Sequence, residues 1–95
     1  MALIGDTVRL NVVFKTFDGQ EVDPETITFC VYDCKMIRLF EPIELLPEQR
    51  IDTGKYYYDY TIPYGVGHLI YEFKAIINGK PFVNRGVIER EFVNS

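Results

Sequence analysis

Tryptophan is absent from this chain, histidine occurs once and cysteine only twice in 95 residues. Each scarcity excludes something. Cys30 and Cys34 are separated by Val31, Tyr32 and Asp33, unlike the Cys-x-x-Cys pairs of zinc ribbons or redox motifs. With the lone histidine at position 68, no four-ligand set can be assembled, so no structural zinc is expected. The two thiols read as unpaired, as a reducing compartment would keep them. Long apolar runs are missing as well. The best stretch, residues 65–77, is broken by His68, Glu72 and Lys74, far from the roughly 20 residues a bilayer-spanning helix needs. No membrane partner is expected. Basic residues are in deficit, 10 Lys and Arg against 14 Asp and Glu for a net charge of -4. Affinity for a polyphosphate comes mainly from Lys and Arg, so nucleic acid is excluded as a partner. The opening MALIGDTVRL has no basic start, no apolar run of seven and no small-residue cleavage site, so no signal peptide is expected.

What is present is an ordinary globular balance, 47% hydrophobic and 25% charged residues, enough for one modest core. The whole chain, residues 1–95, is read as a single domain, with residues 1–6 as a candidate N-terminal arm or edge strand. Period-two alternation dominates. Residues 7–17 place Val8, Leu10, Val12 and Phe14 on one face, and Asp18-Gly19 supplies a turn. Residues 26–33 set Ile27, Phe29 and Val31 together. Residues 35–41 alternate as a third strand, paired to the second through a turn at Cys34 and Lys35. Pro42 and Pro47 make residues 42–50 a loop with a short edge strand. Residues 55–62 carry Tyr56, Tyr58, Tyr60 and Ile62 on one face, and residues 68–77 alternate through Leu69, Phe73 and Ile77. Asn78-Gly79 is the strongest hairpin signal, and residues 82–93 close the chain, with Gly86 marking a bulge or a close backbone approach. About seven strands without a helical period predict an all-β, antiparallel β-sandwich of Greek-key or immunoglobulin-like type, an open barrel being the competing geometry.

Chemistry is sparse. His68 has no Ser or Cys neighbour in a recognised spacing, and it reads as structural. Gly65-Val66-Gly67 joins two strands, so it lacks the helix N-terminus that would hold a phosphate and is read as a turn. Asp6, Asp18, Asp23, Asp33, Asp52 and Asp59 fall mostly at strand ends but form no Asp-x-Asp-x-Asp calcium run. Catalytic, cofactor-binding and metal residues are therefore expected to be none, and the chain is not read as an enzyme. The tyrosines say more. Asp52-Thr53-Gly54-Lys55-Tyr56-Tyr57-Tyr58 has the spacing of an immunoglobulin tyrosine corner, Asp-x-Gly-x-Tyr-x-Cys, with Tyr58 where the cysteine would stand. Asp52, Gly54 and Tyr56 are thus candidate structural residues, Tyr56 being expected to bury its ring and return its hydroxyl to upstream backbone. Two strands follow Tyr56 where the immunoglobulin order expects one, so the topology is immunoglobulin-like at most. Tyr57 and Tyr64 form a candidate ligand or partner surface, for instance a sugar-stacking platform.

Read through Gly5-Asp6-Thr7-Val8-Arg9-Leu10, Phe17-Asp18-Gly19-Gln20-Glu21-Val22-Asp23-Pro24, Thr53-Gly54-Lys55-Tyr56-Tyr57-Tyr58-Asp59-Tyr60 and Tyr71-Glu72-Phe73-Lys74-Ala75, the chain resembles small immunoglobulin-like virion proteins of tailed bacteriophages. Its opening is also similar to the immunoglobulin-like N-terminal module of phage baseplate proteins. The resemblance implies a non-enzymatic capsid-decoration or head-associated protein made in the host bacterial cytoplasm. Its partners would be other virion proteins, such as the major capsid protein or head and tail components, bound in multiple copies on a symmetric assembly. A baseplate or tail adaptor and a carbohydrate-binding, host-adhesion module are the alternatives. Apolar residues on both strand faces, Val13 and Phe17 beside Val12 and Phe14, or Ile76 beside Ile77, suggest surface reserved for a partner.

Overall fold

The computed structural model describes residues 2–91, with the side chains of residues 4–90. Nine strands follow in order: β1 (Ala2–Leu3), β2 (Thr7–Val13), β3 (Thr26–Tyr32), β4 (Ile43–Glu44), β5 (Arg50–Asp52), β6 (Lys55–Thr61), β7 (Leu69–Ile77), β8 (Lys80–Ile88) and β9 (Arg90–Glu91). Among the described residues a single 3-10 turn, Pro47–Gln49, precedes β5, and the N–H of Leu46 just before it donates to the Gln49 side chain at 2.7 Å. No helix among the described residues is long and apolar enough to cross a membrane. Two antiparallel sheets, one ordered β2-β6-β5 and the other β4-β3-β7-β8, pack face to face as one domain, and β1 runs parallel to β9 at one edge.

Alternation decides which residues meet between the sheets. Leu10, Val12 and Phe14 from the first sheet face Ile27, Phe29, Val31, Leu69, Phe73, Ala75 and Ile77 from the second, all buried. Phe29 is fully buried at the centre. Its ring lies 4.5 Å from Tyr58 in a stacked pair and 5.1 Å from Phe73, with Tyr60 and Phe40 also against it. Tyr58, at the position a corner motif gives to cysteine, thus fills the core with an aromatic ring instead.

Two expectations are corrected and an open one is decided. Residues 35–41 form no strand: Asp33 Oδ1 accepts the N–H groups of Lys35 at 2.8 Å and Ile37 at 3.0 Å, and Met36 adopts φ 63°, so the chain turns and meets β3 in a single bridge between Arg38 and Tyr32, with Leu39 N–H donating to Val31 O at 3.0 Å and the Phe40 ring against Phe29. A local carboxylate satisfying two backbone donors outcompeted the alternating pattern. The first long strand ends at Val13, because residues 14–22 fold back in a tight excursion with Thr16 bonded to both Asp18 and Gln20, leaving Phe17 fully exposed. Of the two readings of Gly86, the close approach holds and the bulge does not: it pairs with Tyr71 in unbroken register, and a Cβ there would stand 2.3 Å from the Tyr71 ring, so the glycine admits a cross-strand tyrosine. The Asn78-Gly79 hairpin forms with both residues at positive φ, 52° and 76°, as its tight turn requires. Within the candidate arm, Ala2–Leu3 is strand, while Met1 and residues 92–95 lie outside the described residues.

Candidate functional site

The outward face of the four-stranded sheet carries the least ordinary chemistry of the molecule. Because Phe73, Ala75 and Ile77 point into the core, the intervening Ile70, Glu72, Lys74 and Ile76 of β7 point out. Register sets Thr26, Thr28, Cys30 and Tyr32 of β3 on one side of them and Pro81, Val83, Arg85 and Val87 of β8 on the other. Glu72 lies at the centre and is only 1% exposed. Its carboxylate accepts a charge-assisted hydrogen bond from Arg85 Nε and a bond from the Tyr32 hydroxyl at 3.3 Å, with Lys74 Nζ 3.5 Å away. A carboxylate taken out of water is tolerated only with partners of this kind. Burial, and then the Glu72 charge, push the Tyr32 hydroxyl above its ordinary pKa.

Around this cluster the face is apolar and open. Val83 is 54% and Val87 59% exposed, Ile70 and Ile76 are half-buried, and a shallow depression of about 390 Å³ opens over Thr28, Lys74, Ile76, Pro81 and Val83. Two cationic side chains against one buried carboxylate leave the centre locally positive in a chain whose net charge is -4. On this face the titratable Tyr32, Lys74 and Arg85 are all engaged with Glu72. The face can offer area, shape and one positive spot.

The residues singled out from the sequence lie elsewhere. Tyr56 buries its ring against Phe14, but its hydroxyl donates to the Asp23 carboxylate at 3.1 Å instead of to backbone. Asp23 is the hub of that corner. It also accepts from Gly54 N–H at 2.8 Å and pairs with Arg50 at 3.0 Å, and Arg50 in turn reaches the Thr53 hydroxyl. The Arg50 guanidinium and the Gly54 N–H hold the Asp23 carboxyl below its usual range, while burial and Asp23 raise the Tyr56 hydroxyl. Gly54 adopts φ 74°, and a Cβ there would meet the Phe14 carbonyl oxygen at 2.7 Å. Asp52 stays outside, exposed and capping only the adjacent Thr53 N–H at 2.8 Å.

Tyr57 and Tyr64 are not brought together. Tyr57 sits on the outward face of the three-stranded sheet, where the Arg9 guanidinium covers one side of its ring at 4.0 Å, and Arg9 is itself held by Asp59 through bonds of 2.8 and 3.0 Å. Tyr64 is 81% exposed in the loop beyond the far end of β6. That loop is organised by Arg90, whose guanidinium donates to the carbonyls of Pro63, Tyr64, Val66 and Gly67 at 2.7 to 3.3 Å. His68 stands at the end of the same loop, directly before β7, and is half-buried. Neither Arg90 nor Asp23 has a local signal; each works through a partner more than 20 residues away. Among the described residues, no group of three or more His, Cys, Asp or Glu is placed to hold a metal ion.

Comparison with family models, with curated proteins and with solved structures finds no match to this chain.

Proposed function

We propose that this chain is a non-enzymatic protein-interaction module of immunoglobulin-like type, serving as an auxiliary structural protein of a tailed-phage virion. It binds the capsid or a head-associated component through the outward face of its four-stranded sheet. The observation that carries the docking role is that face itself, with exposed Val83 and Val87 and half-buried Ile70 and Ile76 surrounding the locally positive Glu72, Arg85 and Lys74 cluster. Exposed apolar residues gathered on one face mark interaction sites. The cationic centre favours a partner that presents an acidic side chain within an apolar patch.

The immunoglobulin-like reading draws support from the strand orders β2-β6-β5 and β4-β3-β7-β8. They correspond to B-E-D and C′-C-F-G if β2 is taken as strand B. On that correspondence Tyr56 opens strand E instead of F, which accounts for the two strands after it. The virion role is supported by the sequence resemblance alone, with a baseplate or tail adaptor as its nearest alternative. A sugar platform has less support, because Arg9 covers one side of Tyr57 and Tyr64 lies apart from it.

Purified particles from cells producing the chain, analysed by mass spectrometry, test the proposal. The chain is expected in the particles, and Ile76→Glu, on the face beside Pro81, is expected to remove it while its melting curve stays cooperative. Asn11→Glu, on the opposite sheet, is expected to be incorporated normally. Absence of the unmodified chain from particles overturns the virion role, and normal incorporation of Ile76→Glu overturns the assignment of the face.

A further inference from the structure

Among the described residues, each sheet has one long edge strand with no further strand beside it, β2 in one and β8 in the other, the opposite edges β5 and β4 being only three and two residues long. In an antiparallel ladder, successive residues direct their N–H and C=O alternately toward and away from the neighbour. The two-residue Asn78-Gly79 turn makes Ile77 and Lys80 a bonded pair, so the even-numbered residues of β8 bond to β7. The carbonyl of Ile76, opposite Pro81, accepts from Glu25 on the other side of β7 at 2.7 Å, as that alternation requires. The carbonyl of Pro81 and both backbone groups of Val83, Arg85 and Val87 therefore point outward. On β2, Phe14 N–H donates to Gly54 O at 2.8 Å, which leaves Thr7, Arg9, Asn11 and Val13 facing out by the same rule.

The two edges are dressed differently. Along β2 the side chains at the free-edge positions are mainly polar, with Thr7 bonded to Thr61 and Arg9 locked to Asp59. Along β8 they include Val83 and Val87, more than half exposed, and an Arg85 whose guanidinium is already turned inward to Glu72. Pro81, which blunts an edge by lacking an N–H, stands only at one end. Asn84 points toward the inner side of its sheet yet is exposed, and among the described residues no strand lies beyond β8.

We propose that a second copy of this chain occupies the β8 edge, the two β8 strands pairing antiparallel about a two-fold axis at Asn84 to make one eight-stranded sheet. The register follows from the residues. With the axis at Asn84, Val83 of each copy faces Arg85 of the other in two full rungs. Val87 faces Pro81 in two half rungs, limited only by the missing proline N–H. An axis at Arg85 sets like charges directly opposite. Moving it to Val83 or Gly86 carries rungs past the end of the pairing surface at Ile88 or leaves valine unpaired. At the axis, the two Asn84 carboxamides meet on the inner side, where each can donate to and accept from the other. On the outward side, the Arg85 stem lies along Val83 of the second copy, and the apolar strip runs continuously across both molecules. The proposal does not depend on the virion role, and it needs only the purified chain.

Sedimentation of the full chain is expected to show reversible, concentration-dependent dimers of twice the 11.1 kDa mass. Amide exchange is expected to slow with concentration at Val83, Arg85 and Val87 and not at Thr7, Arg9, Asn11 or Val13. Val83→Pro removes an outward donor without touching the β7 ladder, and it is expected to weaken dimerisation about tenfold or more. On a Cys34→Ser background, Asn84→Cys is expected to give oxidised dimers, because non-bonded antiparallel pairs bring Cα atoms within disulfide range, while Asn11→Cys is not. A monomer persisting up to about 1 mM overturns the proposal. So does a dimer that leaves the β8 amides fast-exchanging or crosslinks through position 11 in place of 84.

Discussion

Both sheets carry an arginine–carboxylate pair on their outward faces, in opposite settings. On the three-stranded sheet Arg9 and Asp59 meet at 2.8 Å with side chains 55% and 43% exposed. On the four-stranded sheet Arg85 meets a Glu72 that is 1% exposed. The chemistry is the same and the consequence is not. In water the two partners of an ion pair can part and be solvated, so the pair contributes little. A buried carboxylate has no such refuge, and it makes its cations indispensable to the fold. Glu72 is held down by neighbours on both flanking strands, whereas Asp59 lies in a three-stranded sheet with water above it.

The largest effect should come from removing a Glu72 partner. Arg85→Ala is expected to cost about 3 kcal/mol in denaturant unfolding, the low end for breaking a buried pair because Lys74 remains 3.5 Å away. The double variant Glu72→Met with Arg85→Leu should restore most of that loss, since a buried pair can be replaced by apolar residues of similar size. No recovery would mean that Glu72 is more accessible to water than its surroundings imply.

An intermediate effect belongs to Asp23, which ties the 14–22 excursion to Gly54 and Tyr56. Asp23→Asn is expected to cost about 1 to 2 kcal/mol near neutral pH, reduced because the side chain is 41% exposed. The folded carboxyl lies below its ordinary value, so its stabilisation is fully present above about pH 4, the unfolded aspartate value, and is lost as pH falls through the lower folded value. Melting curves of the two proteins should therefore converge on acidification. The smallest effect is Arg9→Ala, expected to move the melting temperature by no more than about 2 °C and less still in high salt. A shift as large as that of Arg85→Ala would erase the distinction between the faces.

The strands that were legible from sequence were those whose alternation coincides with burial. Residues 7–13, 26–32, 55–61 and 69–77 each set apolar side chains at every second position, and each is a strand between the sheets. Asn78-Gly79 announced its hairpin because positive φ at two successive positions suits few other residue pairs. Residues 35–41 show the limit. They alternate equally well, but a single Asp33 carboxylate bonding two backbone donors turned the chain so that it meets β3 in one bridge and not in a strand. The corner tyrosine was recognised as buried, yet its true partner was invisible because Asp23 precedes it by 33 residues.

By itself, then, the sequence determined the element types, most turn positions and the apolar set that fills the interior, because period and turn chemistry act over a few residues. It also made the chain acidic overall and poor in the residues from which metal sites are built. Only the tertiary structure decided which face of which sheet would be wet. Glu72 and Lys74 are neighbours on one strand and equally polar in sequence, yet pairing β7 between β3 and β8 buried the first beneath Arg85 and Tyr32 and left the second 58% exposed. Burial of a charge depends on what arrives from distant parts of the chain, and no local pattern encodes that arrival.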